Sequence, residues 1–169
     1  MLLPFTQGLT RTTHFDDEMR QLADRHYSRR TIGARQFLYS GRKLVLRNSE
    51  GTVLFGWMFP DEAMRMDGQK GYNCAIFRNE SSRKASEIIL EAEAAAFKKW
   101  GPNRLYTYID PCKTAVIKRR GERIVGFSFR KAGWKPMVTK DGAPRTSAGG
   151  RWLFVKLCRR ARGEKEGLR

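Results

Sequence analysis

The chain is short of acid, of histidine and of cysteine. Its 169 residues carry 17 Asp and Glu against 34 Lys and Arg, a formal net charge of +17. That imbalance excludes nothing about the fold, but it bears on partners. A compact domain this basic repels itself, and a polyanion relieves the repulsion. Nucleic acid is the first candidate, because neutralising phosphates releases counterions. Three cysteines, Cys74, Cys112 and Cys158, are far apart and odd in number, with neither zinc spacing nor a disulfide framework. No stretch approaches the ~20 apolar residues that span a bilayer, and the start of the chain lacks a signal-peptide pattern. A membrane is therefore not an expected partner, and a reducing cytoplasm is the expected compartment. No repeat and no Pro- or Ser-rich linker divides the sequence, which predicts one domain over residues 1–158. Residues 159–169 read as a basic, solvated tail.

Glycine is missing where it is often found. The stretch IFRNESSRKASEII, Ile76 to Ile89, reads as a strand running into a helix. Such junctions hold phosphate when glycines let backbone amides approach it and the helix dipole adds its pull. Here the junction offers Arg78, Ser81, Ser82 and Arg83 instead. Arginine forks can hold an anion by themselves. A serine there can equally be a plain N-cap, with Glu80 a dipole partner.

What is present is a clear order of elements. A helix is predicted from about Thr13 to Arg29, capped by Thr12 or Thr13, with Phe15, Met19, Leu22 and His26 on one face. QFLYS, KLVLRN and TVLFGWMF read as strands, the last two joined by a hairpin at NSEG. YNCAIF is a fourth strand. A long helix from Ser81 or Ser82 to Trp100, ended by Gly101-Pro102, supplies the crossover to a parallel neighbour, RLYTYID. A basic loop, a short helix around Val125 to Lys131, and an antiparallel pair, WKPMVTK and RWLFVKL, follow. The fold class is α/β (α+β): a mixed, mostly antiparallel sheet flanked by helices.

That order resembles the GNAT acetyltransferase fold, and GFSFRKAGW, Gly126 to Trp134, resembles the passage of such proteins from their last helix into a closing hairpin. A narrower resemblance rests on four motifs in order: HYSRR, FRNESSRKASEII, YTYIDPCK and GFSFRKAGWKP. Together they resemble the Mom-like family of phage DNA modification proteins. The resemblance implies a phage-encoded, GNAT-like enzyme working in the host cytoplasm on double-stranded DNA. It implies conversion of adenine to a carbamoylmethyl (acetamido) form at the exocyclic amine, which shields phage DNA from host restriction. It also implies that His26 and Tyr27 belong to the active site, with iron as the cofactor they would ligate. Typical acetyltransferases grip acetyl-CoA with a glycine-containing turn. Arg78 matches the start of that motif, but Ser81 and Arg83 stand where small residues are expected. Acetyl-CoA is thus disfavoured as donor, and the sequence does not identify another.

The remaining candidates come from chemistry and spacing. A lone histidine on an apolar face is often a buried, hydrogen-bonded ring, and that reading of His26 stands beside the functional one. Asp110 is the natural third ligand, since imidazole, phenolate and carboxylate suit non-haem iron. Alternation puts Tyr106, Tyr108 and Asp110 on one strand face, although Asp before Pro111 is also a common turn starter. An extruded adenine needs an aromatic platform, for which Tyr27, Tyr108, Trp57 and Phe129 are candidates. Arg29, Arg30, Lys113, Arg119, Arg120 and Arg123 are the expected phosphate contacts. The competing readings are an acetyl-CoA-dependent N-acetyltransferase of a small amine or protein, and a non-catalytic DNA-binding protein. Whether two copies pair as a homodimer is left open.

Overall fold

The computed structural model describes residues 8–39, 41–60, 67–114 and 117–158. The basic tail at 159–169 and Ser40 of the expected QFLYS strand lie outside the described residues. The strands are β1 (Thr10–Thr12), β2 (Arg42–Arg47), β3 (Val53–Phe59), β4 (Tyr72–Asn79), β5 (Leu105–Ile109), β6 (Ile117–Arg119), β7 (Glu122–Ile124), β8 (Lys135–Pro136) and β9 (Trp152–Lys156). The helices are α1 (Asp17–Asp24), α2 (Ala85–Trp100) and α3 (Phe127–Lys131). Seven strands form a sheet in the order β1-β2-β3-β4-β5-β9-β8, and β6 and β7 form a separate hairpin. Among the described strands only the β4–β5 pairing is parallel, across the α2 crossover. The protein is thus mixed α/β with a mostly antiparallel sheet. No helix among the described residues is long and apolar enough to cross a membrane.

Two apolar layers sandwich the sheet. On one side, α2 and α3 cover Phe55, Trp57, Tyr72, Leu105 and Phe154. Ala92 and Ala96 on α2 let the helix lie close, and the fully buried Trp57 donates its indole N–H to the Ala92 carbonyl at 2.9 Å. Burying a side chain of this kind contributes roughly 1.5–3 kcal/mol. On the other side, Met19, Leu22 and Ala23 of α1 pack on Val45, Leu54 and Ile76. Trp57 is therefore core and cannot serve as a base-stacking surface.

Several boundaries differ from the sequence reading. Asp16, not Thr12 or Thr13, caps α1, accepting from the amides of Glu18 and Met19 at 3.0 and 3.1 Å. Thr12 instead donates to Asp16. The helix stops at Asp24, because that carboxylate turns back to hold Arg29 Nε at 2.6 Å and the Gly33 amide at 3.1 Å. Phe15 consequently lies outside the helix and is 43% exposed. QFLYS forms no strand among its described residues, although Phe37 and Leu38 are buried against α1.

The feature that positions the site is an irregularity in β4. Gly56 pairs with Ile76 and Trp57 with Cys74, which leaves Ala75 as an unpaired extra residue. Such a bulge bends its strand and re-aims the side chains beyond it. Before it, Cys74 faces the α2 layer; after it, Ile76 joins the α1 layer and Phe77 meets Phe55. The β4–β5 ladder ends at the bulge: Tyr72, Asn73 and Cys74 pair with Leu105, Tyr106 and Thr107, and pairing stops there. β5 continues to pair with β9 up to Ile109 and Trp152, so the sheet opens on one side of β5. At the closed end, Gly71 has φ of 105° and a Cβ there would sit 1.9 Å from the Arg104 carbonyl oxygen, which brings the two strands together at their start.

Candidate functional site

The opening between β4 and β5 is a cleft of about 480 Å³, within the size range of small-molecule sites. It draws its walls from both layers. His26, Tyr27 and Ser28, just past α1, form one side. Gly126 to Phe129, leading into and forming the first turn of α3, form the other. Cys74 and Thr107 lie at the point of the V, with Thr107 donating to the Cys74 carbonyl at 2.8 Å. Gly126, at φ of 68°, lets the chain enter α3 where a Cβ would press on the Phe154 ring at 2.7 Å.

His26 and Tyr27 stack with ring centroids 4.3 Å apart. Tyr27 Oη donates to the Tyr108 carbonyl at 3.3 Å and accepts from the Asp110 amide at 3.4 Å. The phenol therefore pins the end of α1 to the end of β5, where the strands part. Burial raises the Tyr27 pKa, so the ring is a neutral phenol at physiological pH. Burial also lowers the His26 pKa to about 4, helped by the positive charges of Arg78 and Arg151 and opposed by a hydrogen bond to the Phe77 backbone. His26 Nδ1 accepts from the Ser28 amide at 3.2 Å and lies 2.8 Å from Ser28 Oγ. Nδ1 is engaged by Ser28, and burial keeps the imidazole neutral.

This histidine has a consequence for acid stability. Its folded pKa lies below the ordinary value, so the unfolded chain binds more protons between about pH 6.5 and 4. The stability it contributes is present above pH 6.5 and is lost as pH falls through that window. The expected loss is up to about 3 kcal/mol. Urea unfolding from pH 7 to 4 should show this fall in the wild type, and His26→Gln should flatten it. An unchanged pH profile in the variant would mean that His26 titrates normally in the fold.

Asp110 does not point into the cleft. Its Oδ1 accepts from the Cys112 amide at 2.9 Å, the turn-starting role open to an Asp before proline. Tyr106 and Tyr108 do share a face, with centroids 6.2 Å apart, but that face packs on Leu153 and Val155. Tyr108 lines the cleft, while its hydroxyl turns away to Asp67 at 3.1 Å; burial and that neighbouring carboxylate push its pKa up. The three expected iron ligands are committed elsewhere: His26 Nδ1, the Tyr27 hydroxyl and Asp110 Oδ1 each have another partner. Among the described residues no group of three or more His, Cys, Asp and Glu side chains could hold a metal ion. With Nδ1, Oη and Oδ1 so engaged, the set as arranged does not fit iron.

The strand–helix junction is also engaged with itself. α2 begins at Ala85, not at Ser81 or Ser82, and its N-cap residue Lys84 makes no side-chain cap. Asn79 organises the loop instead: its Oδ1 accepts from the Ser81 amide at 3.0 Å and the Ser81 hydroxyl at 2.6 Å, and its amide donates to the Arg83 carbonyl at 2.8 Å. The Glu80 amide donates to Thr52 and the Arg83 amide to Ser81 Oγ. The Glu80, Ser81 and Arg83 amides are thus taken up within the fold, which leaves fewer of the loop's amides to converge on a pyrophosphate. Arg78 binds Glu80 at 2.6 Å and the Arg25 carbonyl at 2.6 Å. Hydrogen bonds from Arg25 and Arg78 hold the Glu80 carboxyl at about 2. Arg83 pairs with Glu91 at 2.7 Å, and Ser82 is exposed.

Of the expected phosphate contacts, Arg29 is a correction. Its side chain is 2% exposed and binds Asp24 and the Gln36 and Ala34 carbonyls, so it braces the loop after α1. Arg30, Lys113, Arg119, Arg120 and Arg123 are exposed, and Lys113 edges the cleft. Sequence reasoning missed Arg151. It lines the cleft, half-buried, with its guanidinium 5.6 Å from the centre of the Tyr27 ring, a cation–π contact. No carboxylate pairs with it among the described residues. Its position just before β9, the antiparallel neighbour of β5, was the one available signal.

No protein-family model, curated protein or solved structure matches the chain.

Proposed function

We propose that the chain is a Mom-like DNA modification enzyme: an adenine extruded from the duplex enters the β4–β5 cleft, where its exocyclic amine is converted to the carbamoylmethyl form. The observation that carries this reading is the cleft itself. It reaches both faces of the sheet, its walls include the stacked His26–Tyr27 pair and Phe129, and Arg151 and Lys113 stand at it without carboxylate partners. Flat rings suit a nucleobase and unpaired cations suit the phosphates on either side of it. Walls drawn from both layers give a base and a group donor different surfaces to lie against. His26 Nδ1 and the Tyr27 hydroxyl are engaged within the fold, so the part assigned to the pair is to shape and stiffen the wall. The donor is not acetyl-CoA on this reading, because the loop before α2 has no glycine and the amides of Glu80, Ser81 and Arg83 are already engaged within the fold.

A second reading, a non-catalytic DNA-binding protein, is favoured by one observation: His26 Nδ1 and the Tyr27 hydroxyl are both engaged within the fold. Digesting DNA from expressing cells to nucleosides and weighing them separates the readings. A new adenine-derived mass, greater than adenine by one carbamoylmethyl substituent, is expected. Unmodified DNA with turnover of acetyl-CoA would support an acyltransferase, and unmodified DNA retained by the protein would support the binding role.

A further inference from the structure

We propose that the β6–β7 hairpin is a ribbon that enters a groove of duplex DNA and grips phosphate. The partner rests on the DNA reading above; the grip rests on the hairpin's own design. Ile117 to Arg123 are all exposed, and the two strands pair only with each other, so the ribbon is separate from the main sheet. Ile117 at its base lines the cleft. Anything the ribbon holds is therefore held beside the opening.

Two features of the ribbon are costly in isolation, and an anion relieves or explains both. First, Lys118 lies directly opposite Arg123. Like charges at directly opposed positions destabilise a strand pair. Arg123 donates to the Pro111 carbonyl, which leaves its charge uncompensated. None of Lys118, Arg119, Arg120 and Arg123 forms an ion pair among the described residues. Second, the two-residue tip places Arg120 at φ of 51° and Gly121 at 81°. A turn with both residues left-handed favours Asn-Gly or Gly-Gly, and a long side chain at the first position is strained. Arg120 is the sole described non-glycine residue with positive φ. A cation has been placed at the tip where a glycine would fold more easily, a pattern expected where a strained residue serves binding. A two-stranded ribbon fits the major groove of B-form DNA, and three residues per strand reach about 10 Å, close to the depth of that groove.

The test pairs stability with affinity. Arg120→Gly should melt about 2–4 °C higher, because it removes the strain, yet bind a duplex several-fold more weakly. Lys118→Glu should also hold or raise the melting temperature by facing Arg123 with an opposite charge. It should weaken duplex binding about ten-fold or more near 100 mM salt and lower the salt slope by 1 to 2. Lys98→Glu, the same charge change near the far end of α2, is the control and should have a much smaller effect. Binding is read by fluorescence anisotropy with an unmodified duplex and with a single strand of the same length. The proposal is overturned if Arg120→Gly stabilises the fold without loss of duplex affinity, if Lys98→Glu matches Lys118→Glu, or if the single strand loses as much affinity as the duplex. The assay contains no group donor, so failure of the modification reading would leave its result intact.

Discussion

Glu93→Ala is expected to cost the fold about 3–5 kcal/mol. Glu93 lies on the inner face of α2 and is 4% exposed. Its Oε1 accepts from the Trp134 indole at 2.6 Å, and its Oε2 accepts from Lys156 Nζ at 2.5 Å. Lys156 also donates to the Ala132 carbonyl at the end of α3, at 2.7 Å. One carboxylate thus joins α2, the segment after α3, and β9. Burial raises its pKa, opposed by the hydrogen bonds from Lys156 and Trp134. Truncation strands the buried Trp134 indole N–H and leaves the partly exposed Lys156 ammonium with only the Ala132 carbonyl, and those lost partners account for most of the expected loss. Removing both charges with Glu93→Met and Lys156→Met should cost much less than the two single losses added together. Urea unfolding of the four proteins measures the cycle; a single-variant loss below about 1 kcal/mol would contradict the buried pair. The effect reaches the site, because α3 carries Phe127 and Phe129 on the cleft wall.

Tyr27→Ala is expected to lower DNA modification by about 100-fold or more while leaving the protein folded. The ring is the link between the end of α1 and the end of β5, it stacks on His26, and it supports Arg151. Its loss lets the opened strands and the guanidinium shift, and a displacement near 1 Å at a reacting centre costs on the order of 10²-fold. Tyr27→Phe keeps the ring and loses only two long hydrogen bonds, so a few-fold reduction is expected. Nucleoside mass spectrometry gives the extent of modification, and circular dichroism the fold. If Tyr27→Phe is as inactive as Tyr27→Ala and equally well folded, the phenol takes part in the chemistry and a purely positioning role is wrong.

The strands with apolar alternation or continuous apolar runs, such as KLVLRN and RLYTYID, were legible because each is buried in the sheet. β1 was not, since three polar residues at an edge carry no pattern. The β6–β7 hairpin was read as a basic loop, because Arg120-Gly121 is an unusual pair for its turn. The sequence points to Ser81 or Ser82 as the start of α2, short of Ala85: serines there look like caps, but the Asn79 side chain claims the loop. His26, Tyr27 and Tyr108 were placed at one opening, which period and motif could indicate. The bulge at Ala75 that makes the opening has no mark in the sequence, and Arg151 reaches it only through the long-range β5–β9 pairing.

The most direct test is where an adenine sits. A duplex carrying 8-azidoadenine would be photocrosslinked to the protein and the adducts mapped by peptide mass spectrometry. The cleft predicts adducts on peptides that contain Tyr27 or Phe127 to Phe129, competed away by unlabelled duplex. Adducts confined to the hairpin, or to surfaces away from β4 and β5, would contradict it.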